Sequence, residues 1–312
     1  MPSEFALIDR HFKGPLTHTL LGPGDDCALI APTPGMALAI SSDMLVAGTH
    51  FLADTDPADL GWKTLAVNVS DLAAMGAQPR WATLAISLPA PDEAWLAAFG
   101  DGFFACATAF GVDLIGGDTT RGPLNLCVTI FGETAPQAAL RRDGAQPGDE
   151  IWVSGTLGLA ALGLAHLQGR CTLADPAPCI TSLQRPQPRV ALGLALRGLA
   201  SACIDVSDGL LADLGHILEQ SGLAAALDFA ALPTAALNCG APAELARDCL
   251  LAGGDDYELC FTAPAAHHAT IAALGTLACI GRITTGPAGQ ITLLDAAGQA
   301  LPTARRGYDH FG

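Results

Sequence analysis

Lysine is almost missing from this chain: Lys13 and Lys63 are the only two in 312 residues. Lysine and arginine together number 15 against 31 acidic residues, for a formal net charge of −16. That balance argues against nucleic acid and anionic membranes as partners. Long apolar runs are also missing, although hydrophobic residues make up 50% and mean hydropathy is +0.38. Residues 190–204 are cut by Arg197, and residues 156–167 hold Gly158, Gly163 and His166. No uncharged span reaches the roughly 18 residues of a crossing helix, so none is expected. Residues 1–9 hold Glu4 and Asp9 and no basic stretch, unlike a secretory signal. Ten cysteines are scattered singly, none in a CxxC pair. A disulfide framework or zinc site is therefore not expected, and a reducing cytoplasm is.

Several nucleotide and hydrolase signatures are absent too. Lys63-Thr64 follows Gly61, but Asp56 stands where a phosphate-binding P-loop needs its first glycine. Gly22-Pro23-Gly24 runs on to Cys27, where a dinucleotide fingerprint needs a third glycine. The protein-kinase HRD and DFG motifs and the GxSxG elbow do not occur. His50 and His216 stand singly, and for each a core or surface role is the default.

What is present alternates between two periods. Apolar runs at 27–30, 37–41, 83–88, 114–115 and 126–131 read as strands. Residues 59–75 and 92–110 read as amphipathic helices, with Asp92 and Glu93 suited to a first helical turn. A break at 134–148 carries Pro136, Gly144, Pro147 and Gly148. Beyond it, strands are expected at 150–153, 203–206, 225–229, 257–261, 279–283 and 291–294, with a hairpin turn at 295–298. Helices are expected at 159–168, 188–199, 210–219 and 243–249. An α/β (α+β) chain of two domains follows, with a boundary near residue 137.

Acidic turns recur along this framework. Aspartates sit beside glycine or serine in Gly24-Asp25-Asp26, Ser41-Ser42-Asp43, Ser70-Asp71, Gly117-Asp118-Thr119, Asp205-Val206-Ser207-Asp208-Gly209 and Gly254-Asp255-Asp256. Magnesium takes hard oxygen ligands, typically one or two carboxylates with substrate phosphates. Glycine lets backbone N–H groups approach phosphate oxygens. Any one such segment is ordinary turn or helix-cap chemistry. Asp71 alone reads equally as a cap, and Asp213 is expected to face solvent. The number of these turns in a chain with few other charges points to collected cations. A phosphate 4 Å from a bare carboxylate is repelled by about 4 kcal/mol at an effective dielectric near 20, so an acidic protein needs such cations to hold phosphates.

Longer motifs carry a family resemblance. They are Gly22-Pro23-Gly24-Asp25-Asp26-Cys27-Ala28, Ser42-Asp43-Met44-Leu45-Val46-Ala47-Gly48-Thr49-His50-Phe51, Asn68-Val69-Ser70-Asp71-Leu72-Ala73-Ala74-Met75-Gly76 and Gly116-Gly117-Asp118-Thr119-Thr120-Arg121-Gly122-Pro123. Further along stand Arg185-Pro186-Gln187-Pro188-Arg189, Ile204-Asp205-Val206-Ser207-Asp208-Gly209-Leu210, Gly253-Gly254-Asp255-Asp256-Tyr257-Glu258-Leu259 and Gly307-Tyr308-Asp309-His310-Phe311. In this order they resemble the thiamine-monophosphate kinase family over almost the whole chain.

The resemblance implies the two-domain aminoimidazole ribonucleotide synthetase-like fold. It assigns residues 1–137 to ATP and magnesium binding and to a homodimer closed by a barrel-like sheet. Residues 138–312 would form an α/β domain completing the active-site cleft. It implies ATP-dependent phosphorylation of thiamine monophosphate to thiamine diphosphate in the cytoplasm, with several magnesium ions. By motif, Asp26, Ser41, Ser42, Asp43, Asp71, Asp118, Asp205 and Asp208 correspond to metal ligands. Gly117, Asp118, Arg142 and Ser207 correspond to ATP contacts, and His50, Asp255 and Tyr308 to substrate contacts. No catalytic residue apart from the metal ligands is implied. Tyr308 also reads as a core aromatic.

Two departures stand out. Leu159-Ala160 replaces the polar pair the family places after Gly158, and Asp255 replaces a commoner glutamate. A sister enzyme of the same fold and a non-catalytic nucleotide-binding subunit are the rival readings. Against a selenophosphate synthetase stands the lack of cysteine in residues 1–14. Against a binding subunit stands the carboxylate retained at each matched acidic position.

Overall fold

A computed structural model describes residues 4–302 and Gly307. Tyr308, expected at the substrate, lies outside the described residues. The chain divides into two compact units. One comprises Met1–Leu72 with Ala77–Gln137, the other Ala73–Gly76 with Ala138–Gly312. Among the described residues no helix is long and apolar enough to cross a membrane.

The first unit contains α1 (Glu4–His11), β1 (Thr19–Leu21), β2 (Leu29–Ile30), β3 (Ala37–Val46) and α2 (Pro57–Ala74), whose last residues fall in the second unit. It continues with β4 (Gln78–Leu88), α3 (Glu93–Phe110), β5 (Asp113–Arg121) and β6 (Asn125–Thr134). A four-stranded sheet runs β3-β6-β4-β5, with only the β4–β5 pair parallel. Asp92 caps α3 as its position suggests, accepting the N–H groups of Ala94 and Trp95 at 3.0 and 3.1 Å. Gly111 at φ 67° ends the helix in the left-handed region. The buried face of α3 carries Leu96, Phe99, Phe103 and Cys106. Helices α2 and α3 meet backbone to backbone: a Cβ on Gly61 would lie 2.0 Å from the Phe99 carbonyl oxygen, and one on Gly102 would lie 1.8 Å from that of Ala58.

Two buried carboxylates tie the segment before β3 to this sheet. Asp113 accepts the N–H groups of Thr17 and His18 at 2.9 and 2.6 Å and the Thr19 hydroxyl at 2.7 Å. Glu133 accepts the Thr33 N–H, its hydroxyl at 3.0 Å and Arg80 Nε at 3.1 Å. They hold the two ends of residues 17–33, which carry Asp25 and Asp26.

The second unit contains β7 (Glu150–Ser154), α4 (Leu159–Leu167), α5 (Ala177–Gln184), α6 (Val190–Ala195), β8 (Ala202–Asp205), α7 (Leu210–Ser221) and β9 (Ala224–Asp228). Then come α8 (Ala243–Ala252), β10 (Leu259–Ala263), α9 (His268–Ala272), β11 (Leu277–Thr284), β12 (Ile291–Leu294) and β13 (Ala300–Leu301). Its seven strands run β13-β12-β9-β11-β7-β10-β8, antiparallel except for β12 on β9. Its core joins Ile151 and Val153 of β7, Leu162 of α4, Leu214 and Ile217 of α7, and Leu250 of α8. Among the described residues no sheet closes on itself.

The expected strands and helices appear with shifted ends, and two of the differences have physical causes. Helix α5 lies where no helix was expected; Pro176 precedes it and Pro178 falls in its first turn. Proline is harmless in a first turn, where its missing N–H has no intrahelical partner. The helix expected over 188–199 shrinks to α6. Strand β10 starts at Leu259 rather than Tyr257, because Tyr257 sits at φ 52°, outside the β region. The hairpin turn at 295–298 is present, closed by the Asp295 N–H on the Gln299 oxygen at 2.9 Å.

Burial opposes ionisation of Glu133, but the Thr33 N–H and the Arg80 guanidinium outweigh it and hold the carboxyl below its ordinary value. Its contribution is therefore complete above the unfolded-state value of about 4.3 and is lost as pH falls through the lower folded value. Glu133→Gln is expected to lower stability at pH 7 by about 1–3 kcal/mol. It should also flatten the acid limb of the stability–pH curve. Urea unfolding at stepped pH tests both.

Candidate active site

The expected site residues fall into three groups. In the first unit a cavity of about 620 Å³ is lined by Asp25, Asp26, Gly117 and Asp118, with Leu84 and Ile115 as apolar wall and Lys13 at the margin. Gly24 turns the chain there at φ 133°, a conformation open to glycine. Asp26 and Asp118 are exposed, and neither carboxylate takes a hydrogen bond or ion pair from the described residues. Lys13 is already paired with Asp9 at 2.6 Å. Gly117 makes the wall possible: a Cβ there would lie 1.8 Å from the Leu84 carbonyl oxygen.

The second group lies on β3 and α2. Ser41 donates its hydroxyl to Asp71, and the Asp43 N–H meets Asn68 Oδ1 at 3.1 Å. Asn68 is anchored in turn by its amide on the Thr64 oxygen at 3.1 Å. Along β3 Ser41 and Asp43 share the partly covered face, while Ser42 alternates to the exposed one. There the Ser42 hydroxyl binds the Val128 oxygen at 3.1 Å and Thr129 Oγ1 at 3.0 Å. The structure does not bring that hydroxyl to Ser41 and Asp71. His50 accepts the Val46 N–H on Nδ1 at 3.0 Å, which puts the proton of a neutral imidazole on Nε2. Strands β3 and β5 are opposite edges of the sheet, about 14 Å apart at ordinary strand spacing. The register still aligns them, since Asp43, Val128, Leu84 and Gly117 form one cross-strand row.

The third group is in the second unit. Asp205 ends β8 and is buried, and the turn from Val206 to Gly209 leads into α7. The Gly253–Glu258 stretch runs beside this turn. Asp255 N–H meets the Ser207 oxygen at 2.8 Å, and Tyr257 N–H meets that of Val206 at 2.8 Å. Asp205, Ser207, Asp208 and Asp255, separated by up to 50 positions in the chain, are thus joined through backbone bonds. Asp255 and Tyr257 sit at φ 68° and 52°, both in the left-handed region, and Tyr257 Oη bonds Asp255 Oδ1 at 3.1 Å. Arg142 is exposed beside β8, where the Arg141 oxygen accepts the Cys203 N–H at 2.8 Å.

Three acids to which the sequence gave no site role support this third group. Asp213 does not face solvent; it is 2% exposed and accepts the N–H groups of Asp208 and Gly209, each at 3.0 Å. Burial, with Asp205 nearby, pushes its carboxyl up to about 8. Its spacing of four residues from Gly209, one turn into α7, was the available signal. Asp256 accepts the Gly158 N–H at 2.7 Å at the start of α4, and burial drives its carboxyl well above the ordinary value. Acid thus reaches the α4 N-terminus from another segment where Leu159-Ala160 bring none. Glu258 is buried and grips the guanidinium of Arg189, with Nε at 2.6 Å, and it also takes the Ser154 hydroxyl.

One other set of metal-ligating atoms occurs among the described residues, Glu150, His268 and Cys279. Arg282 already meets Glu150 at 3.1 Å, and His268 meets it at 2.8 Å. This set reads as an ion-pair network on β7 and β11.

Residues 24–134 match AIR synthase related protein, N-terminal domain, and residues 146–293 match AIR synthase related protein, C-terminal domain. The thiamine-monophosphate kinase of Escherichia coli K12 is 48% identical, with 99% of this chain and 98% of that one aligned. The crystal structure of thiamine-monophosphate kinase from Stenotrophomonas maltophilia is similar at 50% identity and a TM-score of 0.86, covering 96% of this chain and 98% of that one. AaThiL complexed with AMPPCP and TMP is similar at 29% identity and a TM-score of 0.77, covering 99% of this chain and 97% of that one. With identity near one half along nearly its whole length, the chain belongs to the thiamine-monophosphate kinase family.

Proposed function

We propose that this protein transfers the terminal phosphoryl group of ATP to thiamine monophosphate, giving thiamine diphosphate and ADP. The observation that carries the reading is the cavity where Asp25, Asp26 and Asp118 meet Gly117 with Lys13 already paired. Of these, Asp26 and Asp118 take no donor from the described residues, and such exposed carboxylates are the hard-oxygen set that divalent cations take. Family membership supplies the chemistry, and a relative carrying AMPPCP and TMP supports the substrate pair.

Residue roles follow from the groups above. Asp26, Asp43, Asp71, Asp118, Asp205 and Asp208 hold magnesium, with Ser41 through its hydroxyl. Ser42 serves through its backbone, since its hydroxyl is engaged by β6. Magnesium held by these residues would supply the charge neutralisation that two phosphate groups need in order to meet. Gly117 leaves room for a nucleotide phosphate against β4, while Arg142 and Ser207 contact ATP. His50 presents a donor Nε2–H to the substrate, and Asp255 and Tyr308 complete that contact. The nucleophile is an oxygen of the substrate's own phosphate. Its second pKa is near 6, so it is largely dianionic at neutral pH and needs no strong general base. Residues 1–137 form the ATP- and magnesium-binding half, and 138–312 supply Asp205, Ser207, Asp208 and Asp255. Cytoplasmic residence fits ten cysteines that are all free thiols.

The first unit also favours a homodimer. Leu38, Ile40 and Met44 are 36%, 60% and 53% exposed along the outward row of edge strand β3. A second copy adding strands at that edge would cover them and close the open sheet toward a barrel.

Three measurements test these statements. Purified protein with ATP, magnesium and thiamine monophosphate should yield thiamine diphosphate, read by fluorescence after oxidation. Omitting the metal, or substituting unphosphorylated thiamine, should abolish product; nucleotide binding without turnover would favour a binding subunit. Asp71→Asn is expected to cut turnover by roughly 10²-fold or more while circular dichroism stays unchanged. Near-normal turnover would remove Asp71 from the metal set. Ile40→Asp should shift the protein from dimer to monomer in light scattering, and a monomeric wild type would dismiss the dimer.

A further inference from the structure

The Asp205–Gly209 turn has a difficulty of its own. It carries two acids proposed to bind cations, and it enters α7 through Gly209, which has no side chain to cap the helix. The backbone N–H groups of Asp208 and Gly209 nevertheless have a partner. One oxygen of Asp213 accepts both at 3.0 Å, and the Asp213 N–H returns to the Gly209 oxygen at 3.0 Å. The side chain making these bonds is 2% exposed. Packing fixes the turn from the other side, where a Cβ on Gly209, at φ 118°, would lie 2.7 Å from the Ala252 carbonyl carbon.

We propose that Asp213 is a positioning residue for phosphoryl transfer: its buried carboxyl group fixes the turn so that Asp205 and Asp208 meet cations in one geometry. The inference rests on reading Asp205 and Asp208 as metal ligands. It also assigns the start of α7. Helix N-termini commonly hold phosphate, but at this one the N–H groups of Asp208 and Gly209, at the cap and just before it, are taken by a carboxyl oxygen of the chain itself. The turn therefore addresses phosphates through cations on Asp205 and Asp208. Without the clamp, two N–H groups lose their acceptor and the two acids must be ordered by the metal itself. The loss then appears chiefly as weaker magnesium use.

The experiment compares Asp213→Ala, Asp213→Asn and Asp208→Asn in the full chain. Turnover is followed as magnesium is titrated at saturating ATP and thiamine monophosphate, with thermal midpoints recorded alongside. Asp213→Ala is expected to raise the half-saturating magnesium concentration about tenfold, a coupling of about 1.4 kcal/mol. Asp213→Asn keeps an acceptor oxygen at that position and should recover most of that loss. A merely structural Asp213 would lower the thermal midpoint and leave magnesium half-saturation where it was, which overturns the proposal. If the alanine variant does not fold, the asparagine variant decides: a tenfold magnesium shift there would mean that charge, not the acceptor oxygen, matters, and would also overturn it. Asp208→Asn separates the two layers. Full turnover in that variant defeats the metal reading itself. An inactive Asp208→Asn beside a normal Asp213→Ala defeats only the clamp.

Discussion

A carboxylate removed from water is stable only where donors surround it, and in both units of this protein those donors include the backbone of working turns. Asp113 gathers residues 17–19, Glu133 gathers Thr33, Asp213 gathers Asp208 and Gly209, and Asp256 gathers Gly158. Asp113, Glu133 and Asp213 reach from a strand or helix to a turn, and Asp256 reaches from the Gly253–Glu258 stretch to the start of α4. The turn that carries Asp25 and Asp26 is exposed, while the one that carries Asp208 is held by the buried Val206 and by Gly209 against Ala252 as well as by Asp213. Their geometry depends on these clamps, and the strands and helices supply the rigid frame from which the clamps reach.

The acids therefore divide by environment into two kinds. Of the buried ones, Asp113 and Asp213 are engaged by N–H groups and Glu258 by Arg189, whereas Asp205 is buried at the end of β8 within the acidic turn itself. Exposed ones such as Asp26 and Asp118 meet no protein donor around the first-unit cavity. In a chain with net charge −16 this second kind repels phosphate until a cation intervenes. The dependence on divalent metal proposed for this site follows from that electrostatic balance.

Much of this was legible in the residues. The cap at Asp92, the hairpin at 295–298 and the order of strands and helices follow from local propensity and period, which need no distant partner. The acidic turns were legible as a set because glycine and aspartate mark turns wherever they occur together. Helix α5 was not among the expected elements; it follows Pro176 and carries Pro178, whose tolerance depends on register within the first turn. Asp213 was misplaced because its charge outweighs its position in a reading by composition. Its burial is decided by what α7 packs against. The two faces of β3 separate Ser41 from Ser42, and that separation was readable only once the strand's extent was known.

The sequence by itself determined the family, the reaction class and the acids on offer, because those reside in ordered motifs of local chemistry. Only the tertiary structure decided which acids work as clamps and which remain exposed. It aligned Asp43 with Gly117 through strand register, and it joined Asp255 to Ser207 across 48 positions of chain. Register and burial arise from contacts between segments remote in sequence, and no window along the chain contains both partners of such a contact.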